Sequence, residues 1–156
     1  MIQNRFYPVY TDGSYSSNHP GVYAWAFVVR DNQGIVYEAC GARQGQAATM
    51  RNVAGELAAA MRAVKWAVQK GIKIKIYHDY EGVGNLVTGK WKAKNPFTKA
   101  YVEYMRQHRH AIAGFVHVRG HSGVLSNDRA DTLAKKALLG YELSKKCKTP
   151  RNAISC

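Results

Sequence analysis

The sequence predicts an α/β fold: a mixed five-stranded sheet, an antiparallel meander extended by parallel strands, with helices flanking it. Three observations carry this expectation. Strand-like runs at residues 6–11, 22–30 and 35–40 follow one another with no helical pattern between them. From 49 to 70 the period changes, with apolar residues at Val53, Leu57, Ala60, Met61, Val64, Ala67 and Val68, three or four apart. Beyond it, strand patterns at 72–77 and 114–119 alternate with helical ones at 80–87, 97–110 and 127–139.

Each element has its own punctuation. Asp12-Gly13-Ser14 is expected to end the first strand, and Asp31-Asn32-Gln33-Gly34 to turn the second into the third. Gly71 stops the long helix. The fourth strand alternates Ile and Lys and runs into His78-Asp79, and Thr88-Gly89 closes the short helix that follows. Ser126 is the expected N-cap of the last helix, whose apolar face is Ala130, Leu133, Ala134, Ala137 and Leu138. From Gly140 the chain is polar and basic. The expected organisation is therefore one domain over 1–140 and a basic, flexible tail over 141–156. Right-handed crossovers make the first, fourth and fifth strands parallel. If the first and fourth are neighbours, Asp12 and Asp79 emerge side by side at the strand ends where open α/β sheets place their ligands.

Composition narrows the function. Ten tyrosines, four phenylalanines and three tryptophans in a 156-residue chain indicate a folded core and exclude a disordered polymer. No apolar run approaches the ~20 residues of a membrane helix. Met1-Ile2-Gln3-Asn4-Arg5 leads straight into a strand-like segment, so neither a signal peptide nor a separate amino-terminal domain is expected. Cys40, Cys147 and Cys156 have no metal-ligand spacing, and reduced thiols in a cytoplasmic protein are expected. Lys and Arg number 23 against 10 Asp and Glu, a net charge of +13. An excess of that size points to a polyanionic partner, nucleic acid ahead of a membrane surface.

Four carboxylates stand out against this basic background: Asp12, Glu56, Asp79 and Asp131. Singly, three have ordinary readings. Asp12 can be a turn former, Asp79 a helix N-cap, and Asp131 an ion-pair partner of Lys135 four residues on. Glu56 differs, because it borders the apolar stripe of the long helix among Gly55, Leu57, Ala58, Ala59 and Ala60, where a lone carboxylate is costly to desolvate. Together the topology brings all four toward one end of the sheet. Like charges so close stay ionised only with cations. All-oxygen ligation suits Mg²⁺ or Mn²⁺ over zinc, and two such ions balance four carboxylates and can clamp both sides of a phosphodiester displacement.

Thr11-Asp12-Gly13-Ser14, Asn52-Val53-Ala54-Gly55-Glu56, Tyr77-His78-Asp79 and Gly120-His121-Ser122-Gly123 leading to Asn127 and Asp131 strongly resemble the type 1 ribonuclease H family over roughly residues 6–140. Integrases and transposases share that fold but carry their essential glutamate on a late helix, unlike Glu56. The resemblance implies a ribonuclease H-like fold and cleavage of the RNA strand of RNA·DNA hybrids to 5′-phosphate and 3′-hydroxyl ends. It implies two Mg²⁺ ions (Mn²⁺ as substitute) on Asp12, Glu56, Asp79 and Asp131, with His121 handling a proton or aiding product release. Asn18, Asn52 and Asn127 match positions that contact the hybrid, and main-chain groups around Gly13 and Ser14 share that work. A monomer without an obligate protein partner or membrane attachment completes the expectation.

The chain departs from the family in three places. Arg51 stands where many members have a threonine that receives a DNA phosphate, and Glu81 stands where a glutamine reads the minor groove. The long basic handle of some bacterial members is missing, since the 89–96 segment is too short for it. Lys90, Trp91, Lys92 and Lys94 in that segment read either as a replacement phosphate groove with a stacking platform or as a solvated loop with Trp91 on the core.

Overall fold

The computed structural model describes residues 6–119 and 125–147. Its elements are β1 (Tyr7–Tyr15), β2 (Val22–Asp31), β3 (Gly34–Gln44), α1 (Asn52–Lys70), β4 (Ile74–His78), α2 (Gly82–Thr88), α3 (Pro96–Gln107), β5 (Ile112–His117) and α4 (Leu125–Cys147). The sheet order is β3-β2-β1-β4-β5. The first two ladders are antiparallel and the last two parallel, as expected for the first, fourth and fifth strands, and β1 and β4 are neighbours, which meets the condition for Asp12 and Asp79 to emerge side by side. Among the described residues, no helix is long and apolar enough to cross a membrane.

β2 is apolar on both faces because both faces are covered. Trp25, Phe27 and Val29 pack with Leu57, Ala60, Val64 and Ala67 of α1, while Val22, Ala24, Ala26 and Val28 pack with Ala130, Leu133, Ala134 and Ala137 of α4. Bulky residues thus face α1, and small ones let α4 lie close. A forked contact fixes the register of α4: Arg129 donates from Nε (3.0 Å) and a terminal nitrogen (2.6 Å) to Glu38 of β3. Tyr141 Oη, twelve residues on, donates to Gln44 Oε1 at 2.9 Å.

Several expected boundaries move. β1 does not end at Asp12-Gly13-Ser14: its antiparallel ladder with β2 continues through Asp12↔Ala26 to Tyr15↔Tyr23, supplying backbone partners that override a local turn signal. Its parallel ladder with β4 does stop, at Tyr10↔Tyr77. β3 runs on to Gln44 because β2 pairs with it that far. A 3₁₀ segment at Gln46–Met50 replaces the expected first turn of α1, and Arg51, at φ 59° and ψ −132°, breaks the helix before Asn52. α3 starts on Pro96 behind an Asn95–Thr98 capping box and stops at Gln107. Ser126 lies inside α4 rather than capping it, and α4 passes the expected end at Leu139 to reach Cys147. Cys40, wholly buried, is disulfide-bonded, contrary to the expectation of three reduced thiols.

Between α2 and α3, the buried Tyr101 hydroxyl donates to the Val83 carbonyl at 2.6 Å. Tyr101→Phe removes that buried hydrogen bond. The expected cost is about 1–3 kcal/mol, read as a lower denaturation midpoint at an unchanged m-value.

Candidate active site

Asp12 sits on β1 two residues past the last pairing with β4, and Asp79 follows directly on β4. Because the two strands no longer pair there, their ends form an opening at the sheet edge. Glu56 enters it from α1. One carboxylate oxygen from each of Asp12, Glu56 and Asp79 lies within 4.8 Å of the others. Asp12 and Glu56 are buried, at 8% and 3% exposure. The Gly13 N–H binds both, donating to Asp12 Oδ1 (2.9 Å) and Glu56 Oε2 (3.2 Å). Glu56 Oε1 is buried with no hydrogen-bond partner.

Asp131 comes from α4 on the other face. Its carboxyl is close enough to Asp12 to share a hydrogen bond and raise the Asp12 pKa, and its Oδ2 is 3.1 Å from Lys135 Nζ. The ion-pair reading of Asp131 therefore holds, while the closely spaced carboxylate group comprises Asp12, Glu56 and Asp79 without it. The simple readings of the other two aspartates do not: Asp12 is mid-ladder, and α2 is preceded by Glu81 rather than capped by Asp79.

The electrostatics follow from burial. Desolvation raises the Asp12 pKa to about 6, with Asp131 adding to the rise and hydrogen bonds from Glu56 and Gly13 opposing it. Glu56 is driven well above the carboxylate range by its own burial, then by Asp12, then by Asp79. Such a group is ionised at neutral pH only beside a cation. The donor set is all oxygen, closely spaced and holds an orphaned buried acceptor. It fits a hard divalent metal ion.

The remaining predicted residues spread around this centre. Gly13 and Ser14 lie on β1 beside it. Asn52 is exposed at the start of α1, next to the exposed Arg51. Asn18 is exposed in the β1–β2 turn, where its N–H donates to Ser16 Oγ. Asn127 is buried in the first turns of α4, its Oδ1 without a partner. Lys90, Lys92 and Lys94 are exposed; Trp91, 39% exposed, rests edge-on against Tyr80 with centroids 5.9 Å apart, so it is not a core residue. His121 lies outside the described residues, as do Gly120, Ser122 and Gly123.

Sequence reasoning passed over His78 and Tyr80, which flank Asp79. His78 is buried, which lowers its pKa to about 4, and its Nδ1 is 2.9 Å from the Tyr80 carbonyl. Burial, then Glu56, raises the Tyr80 hydroxyl pKa. Strand alternation over Ile74, Ile76 and His78 was the signal that could have found the first of them. Glu81, the departure from the family's glutamine, reaches toward His117 of β5, 4.0 Å from its Nδ1.

The Asp12 shift has a sign. An unfolded aspartate ionises near pH 4, whereas folded Asp12 holds its proton to about pH 6. Its contribution to stability is therefore complete below about pH 4 and lost as the pH rises through about 6. Without divalent ions, Asp12→Asn should escape that loss, gaining about 3 kcal/mol on the parent between pH 4 and 7. Denaturation midpoints measured at each pH check this, and a parent–variant difference that ignores pH would refute it.

Comparison with known proteins places this arrangement. A family model described as RNase H matches residues 4–139. The chain is similar to the ribonuclease H of Bartonella tribocorum (strain CIP 105476 / IBS 506), 35% identical over 153 residues covering 89% of this chain and 93% of that protein. It is similar in structure to RNase H1 from the halophilic archaeon Halobacterium salinarum NRC-1, with a TM-score of 0.70 at 26% identity over 87% of this chain and 99% of that one. LC11-RNase H1, solved in complex with an RNA/DNA hybrid, shares the fold at 19% identity, with a TM-score of 0.65 over 85% of this chain and 99% of its own. A family match over residues 4–139, reaching from before β1 into α4, has one reading: this chain belongs to the ribonuclease H family.

Proposed function

We propose that the protein hydrolyses the RNA strand of RNA·DNA hybrids at the Asp12–Glu56–Asp79 centre, leaving 5′-phosphate and 3′-hydroxyl ends. The observation that carries this reading is the packing of three carboxylate oxygens within 4.8 Å, one of them on a glutamate with an orphaned buried oxygen, in a chain of net charge +13. That a relative of the same fold was solved on an RNA/DNA hybrid supports the substrate. We assign two Mg²⁺ ions, replaceable by Mn²⁺, to Asp12, Glu56, Asp79 and Asp131. When bound, the ions supply Lewis acidity, activating the attacking water and neutralising charge at the departing 3′-oxygen.

The chain's own groups do the rest. The Gly13 N–H orients Asp12 and Glu56, and Lys135 steadies Asp131 beside them. Asn52, at the exposed start of α1, reads the RNA 2′-hydroxyl, with Asn18, Asn127 and the main chain of Gly13 and Ser14 as further contacts. Arg51 takes a DNA phosphate. Lys90, Lys92 and Lys94 track the backbone, with Trp91 exposed among them. His121 handles the proton of the leaving group or speeds product release. In this proposal the protein acts as a monomer in the cytoplasm.

An RNA·DNA hybrid with each strand labelled separately tests the proposal. With Mg²⁺ present, the RNA strand alone should be cut, and Asp79→Asn should lower the rate by about 10³-fold or more. Tight binding without cutting would instead describe a hybrid-binding module, and DNA-strand cutting another nuclease of this fold. Binding should also weaken steeply with salt, log Kd rising by about 0.7–0.9 per phosphate contact for each tenfold increase, because bound Lys and Arg release counterions. A flat salt response would remove the electrostatic part of the case.

A further inference from the structure

At one point in its first turns, helix α1 meets the sheet backbone to backbone. A Cβ built at Gly13 would land on the Glu56 amide nitrogen and the Gly55 carbonyl carbon, and lie 2.8 Å from Gly55 Cα. One built at Gly55 would land on the Ala24 carbonyl oxygen, 2.9 Å from Gly13 Cα and 3.1 Å from the Ser14 nitrogen. All of these obstacles are backbone, so none can swing aside. Neither glycine is among the positive-φ residues, so close approach rather than backbone conformation selects glycine at both positions. The same residues carry the site's hydrogen bonds, since Gly13 donates its N–H to Glu56 Oε2 and Glu56 directly follows Gly55.

From this geometry we infer that the bare backbone contact between Gly13 and Gly55 is a positioning device that sets the reach of Glu56 into the Asp12–Asp79 opening and thereby the metal affinity of the site. The inference rests on the metal-binding reading above. A methyl group at either position needs about 3.5–4 Å from its neighbours, so α1 would have to lift by about 1 Å or more. Glu56 has two methylenes between helix and carboxylate and cannot follow the helix outward while keeping Gly13 and Asp12. The buried Oε1, without a protein partner, would be the donor withdrawn first. Gly55 and Gly13 are positioning residues in this account; they act through Glu56.

The test is Mn²⁺ binding to the full chain followed by calorimetry, with folding followed by circular dichroism. Gly55→Ala and Gly13→Ala should each weaken Mn²⁺ binding by about 10- to 100-fold, the loss typical of disturbed ligand support. Glu56→Asp, one methylene shorter with the glycine contact intact, should lose affinity in the same range. Leu57→Ala, a cavity in the same helix away from that contact, should lower the melting temperature yet keep Mn²⁺ affinity within about twofold. Glycine variants that fold and bind as the parent does would overturn the inference. If the glycine variants fail to fold, unchanged affinity in Glu56→Asp would overturn it alone, since reach would not then be limiting. A parent that takes up no Mn²⁺ would overturn the metal-binding reading first and this inference with it, which separates the two failures.

Discussion

The structure is organised around a repulsion. Three carboxylates from three separate elements are forced within 4.8 Å of one another, two of them largely removed from water. Desolvation and mutual repulsion both oppose ionisation there, and a single N–H, that of Gly13, offsets part of the cost for Asp12 and Glu56. No chain would spontaneously adopt this arrangement for stability. It persists because every element that carries a carboxylate is held by contacts remote from it.

Those remote contacts divide by face. On one side, Trp25, Phe27 and Val29 seat α1 through bulky packing, and beside the site itself the Gly13–Gly55 contact lets the helix backbone meet the sheet. On the other, alanines on both α4 and β2 draw that helix close, and the Arg129–Glu38 fork fixes it along its axis two residues before Asp131. Exposed ion pairs contribute little to stability. A forked one nevertheless fixes direction, and direction is what Asp131 requires to meet Asp12 across the sheet edge.

How much of this could be read in advance follows from where the determining contacts lie along the chain. The apolar faces of α1 and α4 were legible because helical periodicity is local, and every residue assigned to the α4 face is in its buried cluster. Strand adjacency was legible because handedness rules leave few topologies. The far halves of β1 and β3 were not. Asp12-Gly13-Ser14 carries a turn's composition, and Gly41 to Gln44 no strand pattern at all; only pairing with β2 makes them strands. Arg51 could not be foreseen as a helix breaker, because arginine has no preference for φ 59°. Gly55 was noticed as small, but its partner across 42 residues of sequence was invisible without coordinates.

The charge distribution gives the acidic centre its context. A buried acidic cluster repels the phosphates on which it is expected to act, so cations near its mouth help a polyanion to approach. Lys90, Lys92 and Lys94 are exposed on the connection after α2, close to the Tyr80–Trp91 pair that adjoins Asp79, and Arg51 is exposed at the start of the helix bearing Glu56. Positive charge on the surface attracts a nucleic acid backbone over a Debye length of about 8 Å at physiological salt. Negative charge in the recess rejects that backbone at short range unless cations stand between them. The two layers of charge therefore make attraction unspecific and long-ranged, and confine the demand for metal to the final few ångströms, where Glu56 meets Asp12.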